Sequence, residues 1–128
     1  MNNKFKIVSF KADVVSLVPT EITDAYDFDL GFDVGFSEDE LKSFIVKFKV
    51  KISAAVGYTL SVEYTALFET EEQITDGFKN SNFATVDAPA IAYPFLRSFI
   101  STLTINAGYD PVLIPNVDFQ FLLQESMK

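Results

Sequence analysis

The residues best placed to do chemistry are acidic. Asp27, Asp29 and Asp33 occupy odd positions in a segment that alternates Phe28, Leu30, Phe32, Val34 and Phe36 with Asp and Gly. Successive strand residues point to opposite faces, so the three carboxylates would share one face, an arrangement that a hard cation such as calcium accepts. The spacing fits no calcium-binding loop, however, and Lys47, Lys49 and Lys51 alternate in the same way further on. A solvated sheet face with paired charges is the favoured reading. Glu69, Glu71 and Glu72 form a second acidic cluster. Paired carboxylates do acid–base work only where an enclosed site drives their pKa values apart, and these three lie among polar neighbours as a solvated run.

The composition narrows the chemistry further. The chain has 128 residues with no His and no Cys, which removes thiolate chemistry, the commonest general base and the commonest metal ligand. It contains no phosphate-binding glycine loop and no nucleophile elbow. An enzyme is therefore not expected, nor is a metal or any other cofactor. The formal charge of −8 counts against nucleic acid, whose binding rests on Lys and Arg neutralising phosphates, and against an anionic membrane surface. The first residues run straight into strand-like sequence without a signal-peptide pattern, and no segment has the unbroken apolar length of a spanning helix. The expectation is one cytoplasmic domain over residues 1–128, without membrane insertion. Fourteen Phe should mostly fill a core, the remainder marking a surface that binds something apolar.

The elements that would position these residues can be read from periodicity. Residues 4–17 form a strand whose apolar phase shifts between Ile7 and Val8, the mark of a bulge or sharp twist. Residues 26–36 and 44–54 each alternate cleanly. A hairpin between them keeps its apolar faces together only if paired numbers have an even sum, and a sum of 80 sets Phe32 against Phe48 and Asp33 against Lys47, with Asp29 near Lys51. A slip of one residue would carry Asp onto the Phe face. Ser37 followed by Glu40 is a capping-box pattern that predicts a short helical turn between the strands. Gly57 marks a turn, residues 58–69 a fourth strand and residues 70–85 a polar connecting loop. Residues 88–107 predict a helix, with a kink or late start at Pro94 and a stop at Ala107-Gly108. Asp118 is placed to cap a last helix over residues 119–127. Strands first and helices after give the α+β class, one antiparallel sheet with helices on one face.

Residues 88–109 carry a single charge, Arg97. At about 100° per residue, Phe95, Leu96, Phe99, Ile100, Leu103 and Ala107 form one apolar stripe, expected to cover the sheet. The back holds Arg97, Ser98, Ser101, Thr102, Thr104 and Ile105. A solvated helix would place Glu and Lys there, whereas small uncharged side chains let a second helix approach. Arg97, Ser98, Ser101, Thr102 and Ile105 are therefore expected at a subunit interface rather than beneath the chain's own loops.

The order of these pieces resembles the SecB family of bacterial export chaperones over nearly the whole chain. The likeness is sharpest in Tyr93-Pro94-Phe95, Arg97, Ile100, Gly108, Pro111, Leu113 and Val117-Asp118-Phe119. Residues 4–17, including Asp13, and residues 26–33 resemble the family's first two strands. The resemblance implies a four-stranded antiparallel sheet with a long helix and a C-terminal helix, pairing into dimers, and two dimers joined through their long helices. It implies no catalysis and no ATP, but apolar grooves that hold unfolded polypeptides. Carried over by position, Phe28, Leu30 and Phe32 of the second strand and Leu122 and Leu123 of the last helix would contribute groove residues, with Tyr58 near one groove. At the sheet positions that dock the SecA motor in the export members, Asp13 fits. Leu17 and Ser61 stand in place of acidic residues and Thr59 in place of Leu, and no acidic tail follows the last helix before Lys128. These departures count against SecA and leave open a different client, such as an antitoxin. The leading expectation is an ATP-independent holdase. The alternative is a small-molecule carrier with an apolar pocket between sheet and helix, and a weaker third is a purely structural interaction domain.

Overall fold

The computed structural model describes residues 4–21, 27–54 and 57–126, so the expected strand start at residue 26 and helix end at residue 127 lie outside the described residues. The chain divides into two compact units, Met1–Gln73 and Ile74–Lys128. The first is an antiparallel sheet of β1 (Phe5–Pro19), β2 (Asp27–Phe36), β3 (Ser43–Ala54) and β4 (Tyr58–Thr70) in the order β1-β4-β3-β2. Both long strands that begin the chain thus lie at edges.

The β2–β3 register follows the apolar pattern. Phe32 is opposite Phe48, Asp33 opposite Lys47 and Asp29 opposite Lys51, so paired numbers add to 80. The phase shift in β1 has its cause in two register shifts against β4, between Ile7 and Ser9 and between Ala12 and Val14. Each extra residue rotates the strand, so that Ile7, Phe10, Ala12, Val15 and Leu17 all meet even-numbered partners on β4. Those even positions, from Tyr58 to Phe68, and their counterparts Phe44, Val46, Phe48, Val50 and Ile52 are buried. At one end a row of rings crosses all four strands. Phe5 meets Phe68 at 5.5 Å, Phe68 stacks on Phe44 at 5.0 Å, and Phe44 stacks on Phe36 at 5.7 Å. Such pairs are worth about 0.5–1.5 kcal/mol each beyond area burial.

Two expectations for the polar face change. No helical turn forms at Ser37; its hydroxyl accepts from the Asp39 N–H at 3.2 Å, two residues on, and the chain bends. A Ser side chain offers the backbone this local alternative to a helix start. Lys47, although opposite Asp33, reaches the other way to Glu63 on β4 at 3.2 Å.

The second unit contains α1 (Asp76–Lys79), a π-helical turn (Phe83–Asp87), α2 (Ala88–Asn106) and α3 (Phe119–Ser126). The expected loop over residues 70–85 is thus partly helical. Thr75 caps α1 by accepting from the Phe78 N–H at 3.1 Å. The π-helical turn leads straight into α2, with Asp87 already helical, so α2 does not start late and Pro94 lies inside it. The stop is as expected: Gly108 has φ +97°, and the N–H groups of Ala107, Gly108 and Tyr109 donate back to Leu103, Ile105 and Thr104. Among the described residues no helix is long and apolar enough to cross a membrane.

Candidate functional site

Among the described residues β2 is bounded by a strand on one side only. On its apolar face Phe28, Leu30 and Phe32 are half-buried, while their partners Ile52, Val50 and Phe48 are closed off. The edge position thus leaves an apolar row of this strand in partial contact with water. Its other face is wet, with Asp27, Asp29, Gly31 and Asp33 exposed. Tyr58 does not join the half-exposed set. It lies on an inner strand with strands on both sides and is 0% exposed in the single chain.

In the helical unit Asp118 caps α3 as expected, its carboxylate accepting from the Phe121 N–H at 3.1 Å. Phe119 is buried edge-on against Tyr93, centroids 5.4 Å apart. One turn later Leu122 and Leu123 are half-buried, and Phe121 is exposed. What fixes α3 is the chain segment before it, which returns antiparallel along α2 and is held at three stations. The Thr104 hydroxyl accepts from the Val112 N–H at 3.1 Å. Arg97 donates through Nε to the Ile114 carbonyl at 3.1 Å and through Nη1 to Asn116 Oδ1 at 2.8 Å. The Tyr93 hydroxyl donates to the Pro115 carbonyl at 2.6 Å. Ile114 is buried between these stations.

These bonds turn the stripe on α2. The buried residues are Ala92, Tyr93, Leu96, Ile100 and Thr104. Phe95, expected to face inward, is 48% exposed, and Thr104, expected on the back, is fully buried. Hydrophobicity alone put Thr104 outside, but its hydroxyl finds partners, and a buried polar group that is hydrogen-bonded costs little. Of the expected interface set, Ser98, Thr102 and Ile105 are exposed, Ser101 is half-buried, and Arg97 is bonded within its own chain. Sequence reasoning missed Ile91 and Phe95, which at 47% and 48% exposure lie on the same side as Ser98, Thr102 and Ile105 at helical spacing. On the sheet, Asp13 stands at a bulge, accepts from the Thr65 hydroxyl at 2.5 Å and lies 3.9 Å from Lys11. Burial pushes the Tyr64 phenol above its ordinary value.

A four-stranded antiparallel sheet followed by a long helix and a short capped one, with apolar side chains left part-exposed on an edge strand and on α3, defines an α+β protein. The family described as SecB, preprotein translocase subunit SecB, matches residues 8–128, and the chain belongs to it. Similar relatives include an uncharacterised protein of Methanocaldococcus jannaschii, 31% identical over 91 residues that make up 67% of this chain and 57% of that protein. The protein-export protein SecB of Hyphomonas neptunium is 31% identical over 106 residues, 78% of this chain and 63% of that protein. The chain thus spans less than two thirds of the length of these relatives. Among solved structures, a SecB-like chaperone of Mycobacterium tuberculosis in complex with a peptide from the HigA1 antitoxin has TM-score 0.67 at 17% identity, covering 88% of this chain and 87% of that one. A protein of unknown function from Streptococcus agalactiae has TM-score 0.62 at 9% identity, covering 91% and 100%. At these identities the two structures speak for the fold alone.

Proposed function

We propose that the chain is an ATP-independent holdase that binds extended, unfolded segments of other polypeptides. The observation that carries the reading is the apolar row of Phe28, Leu30 and Phe32, half-buried on an edge strand whose neighbours are closed. Leu122 and Leu123 on α3 add a second apolar contact set. Covering such surface returns about 25 cal/mol per Å², and aromatic faces accept side chains of many shapes, which suits clients of varied sequence. Backbone pairing along the free edge would add affinity without sequence preference. Membership of the SecB family weighs for this reading over a small-molecule carrier.

Residues 1–128 act in this reading as one functional domain in the cytoplasm. Copies associate through Ile91, Phe95, Ser98, Thr102 and Ile105 of α2 into dimers and pairs of dimers. That side of the helix carries no charge and is exposed in the single chain, a pattern that fits a covered surface. SecA is not the favoured partner. Asp13 is engaged by Thr65, and at the neighbouring docking positions Leu17 and Ser61 offer no acid and Thr59 no Leu side chain. The antitoxin peptide bound by the mycobacterial protein makes an antitoxin segment a client class to try first. The test is aggregation of a chemically unfolded protein after dilution, followed by light scattering. A stoichiometric excess of the chain suppresses it on this reading; unchanged scattering overturns the reading.

A further inference from the structure

The segment that returns along α2 is itself a stretch of apolar polypeptide bound by side chains. Residues 110–117 read Asp-Pro-Val-Leu-Ile-Pro-Asn-Val and adopt no regular structure. Among the described residues no backbone–backbone hydrogen bond holds them. Instead α2 does: Thr104 takes the Val112 N–H, Arg97 Nε the Ile114 carbonyl, and the Tyr93 hydroxyl the Pro115 carbonyl. From Thr104 to Tyr93 the helix rises about 16 Å, while the three steps from Val112 to Pro115 reach about 10 Å at most, so the segment is drawn out along the helix. All three bonds go to backbone groups, which belong to every residue apart from the missing N–H of proline. An N–H is asked for only at Val112, so Pro111 and Pro115 fit. The side chains add one buried anchor, Ile114 at 1% exposure, and one bond, from Arg97 Nη1 to Asn116 Oδ1 at 2.8 Å. Leu113 faces water at 76% exposure. The two ends are fixed separately, as the Tyr109 N–H donates to the Thr104 carbonyl at 3.0 Å and Phe119 lies edge-on against Tyr93.

We propose that Tyr93, Arg97 and Thr104 form a backbone-binding site on α2, that residues 110–117 occupy it as a built-in stand-in for a client, and that an extended client segment displaces them. Groups that bind carbonyls and a single N–H read no sequence, so a foreign segment meets the same three partners. Its one requirement is an apolar side chain for the place of Ile114, and proline is accepted where the stand-in carries it. The displaced segment lifts as a loop between its fixed ends, and α3 keeps its seat on Tyr93. While seated, residues 110–117 compete as a tethered ligand, at an effective concentration of order mM. A client gains the site only while they are lifted, so its apparent affinity scales with the lifted fraction. The inference rests on the reading of the chain as a binder of unfolded segments.

Because α2 offers the same bonds to both occupants, the two sides of the contact respond differently to substitution. The probe is a labelled protein kept unfolded by reduction and alkylation, titrated with the intact chain by fluorescence anisotropy. Changes in the segment weaken the stand-in alone and so strengthen client binding. Asn116→Ala, at an exposed position, raises affinity about two- to tenfold, the size of one hydrogen bond. Ile114→Ala empties the anchor place and raises it about tenfold or more. Tyr93→Phe removes a donor from both occupants and leaves affinity within about twofold. A segment that only positions α3 would instead make all three variants bind more weakly. In the parent, amide exchange at Val112 quickens in the client complex, because its N–H leaves Thr104. Unchanged or lowered affinity in Asn116→Ala and Ile114→Ala, a larger fall in Tyr93→Phe, or a Val112 amide still protected in the complex overturns this inference alone. Absence of client binding by the parent and every variant overturns it together with the holdase reading.

Discussion

Replacing Thr104 with Val tests how the return segment is held on α2. Thr104 is fully buried, and its hydroxyl donates toward the Ile100 and Ser101 carbonyls at 3.0 Å while accepting from the Val112 N–H at 3.1 Å. Val has nearly the same shape, so the change opens no cavity and isolates the hydroxyl. The Ile100 carbonyl keeps its helical partner at the Thr104 N–H, so the principal loss is the acceptor for Val112. A backbone donor left unsatisfied in a half-buried place costs about 1–2 kcal/mol, equivalent to roughly 4–8 °C in Tm at this chain length. Thr104→Ser keeps the hydroxyl and removes one buried methyl, at about 1 kcal/mol. The two variants are therefore similar in stability but opposite in local effect. Amide exchange at Val112 accelerates in Thr104→Val and stays near wild type in Thr104→Ser. Urea unfolding with residue-resolved exchange gives both readings. A Thr104→Val protein as stable as the parent, with Val112 still protected, would refute the stitched-segment account.

Three further outcomes follow from named contacts. Gly108→Ala lowers stability by about 1 kcal/mol through its backbone alone, because φ is +97° and nothing crowds the added Cβ; thermal melting reads it. Thr102→Glu places charge in the exposed uncharged side of α2 and lowers the assembled mass seen by light scattering on a sizing column; an unchanged mass contradicts the α2 interface. Burial raises the Tyr64 phenol above its ordinary value of about 10, so the folded state holds the proton more tightly than the unfolded chain. That contribution is full below about pH 10 and is lost as pH rises through the folded value. The urea midpoint of the parent accordingly falls more between about pH 8 and about pH 11 than that of Tyr64→Phe.

The sheet was legible because its rule is short-ranged and strict. Alternation in β2 and β3 admits one register once Asp is kept off the Phe face, and the same logic exposed the irregularity in β1 that proved to be two bulges. The end of α2 and the start of α3 were legible for similar reasons, since Gly108 and Asp118 act on their immediate neighbours. The rotation of α2 was not, because it depends on partners far along the chain. Nothing near Tyr93, Arg97 or Thr104 announces Pro115, Ile114 or Val112 as its acceptor or donor. Without those bonds Phe95 outranks Thr104 for burial. The ion pair of Lys47 escaped for the same cause, as a central strand offers it acids on both sides and only geometry selects Glu63. The half-exposure of Phe28, Leu30 and Phe32 required the strand order, which places β2 at an edge.

Hydrogen–deuterium exchange of the assembled protein, alone and with a permanently unfolded client, reads out directly whether β2 and α3 hold an unfolded segment. Exchange slows in β2, whose free edge gains a backbone partner, and in α3 around Leu122 and Leu123, with β4 unchanged. A client that binds while β2 and α3 exchange as before, or protection confined to other segments, would contradict it.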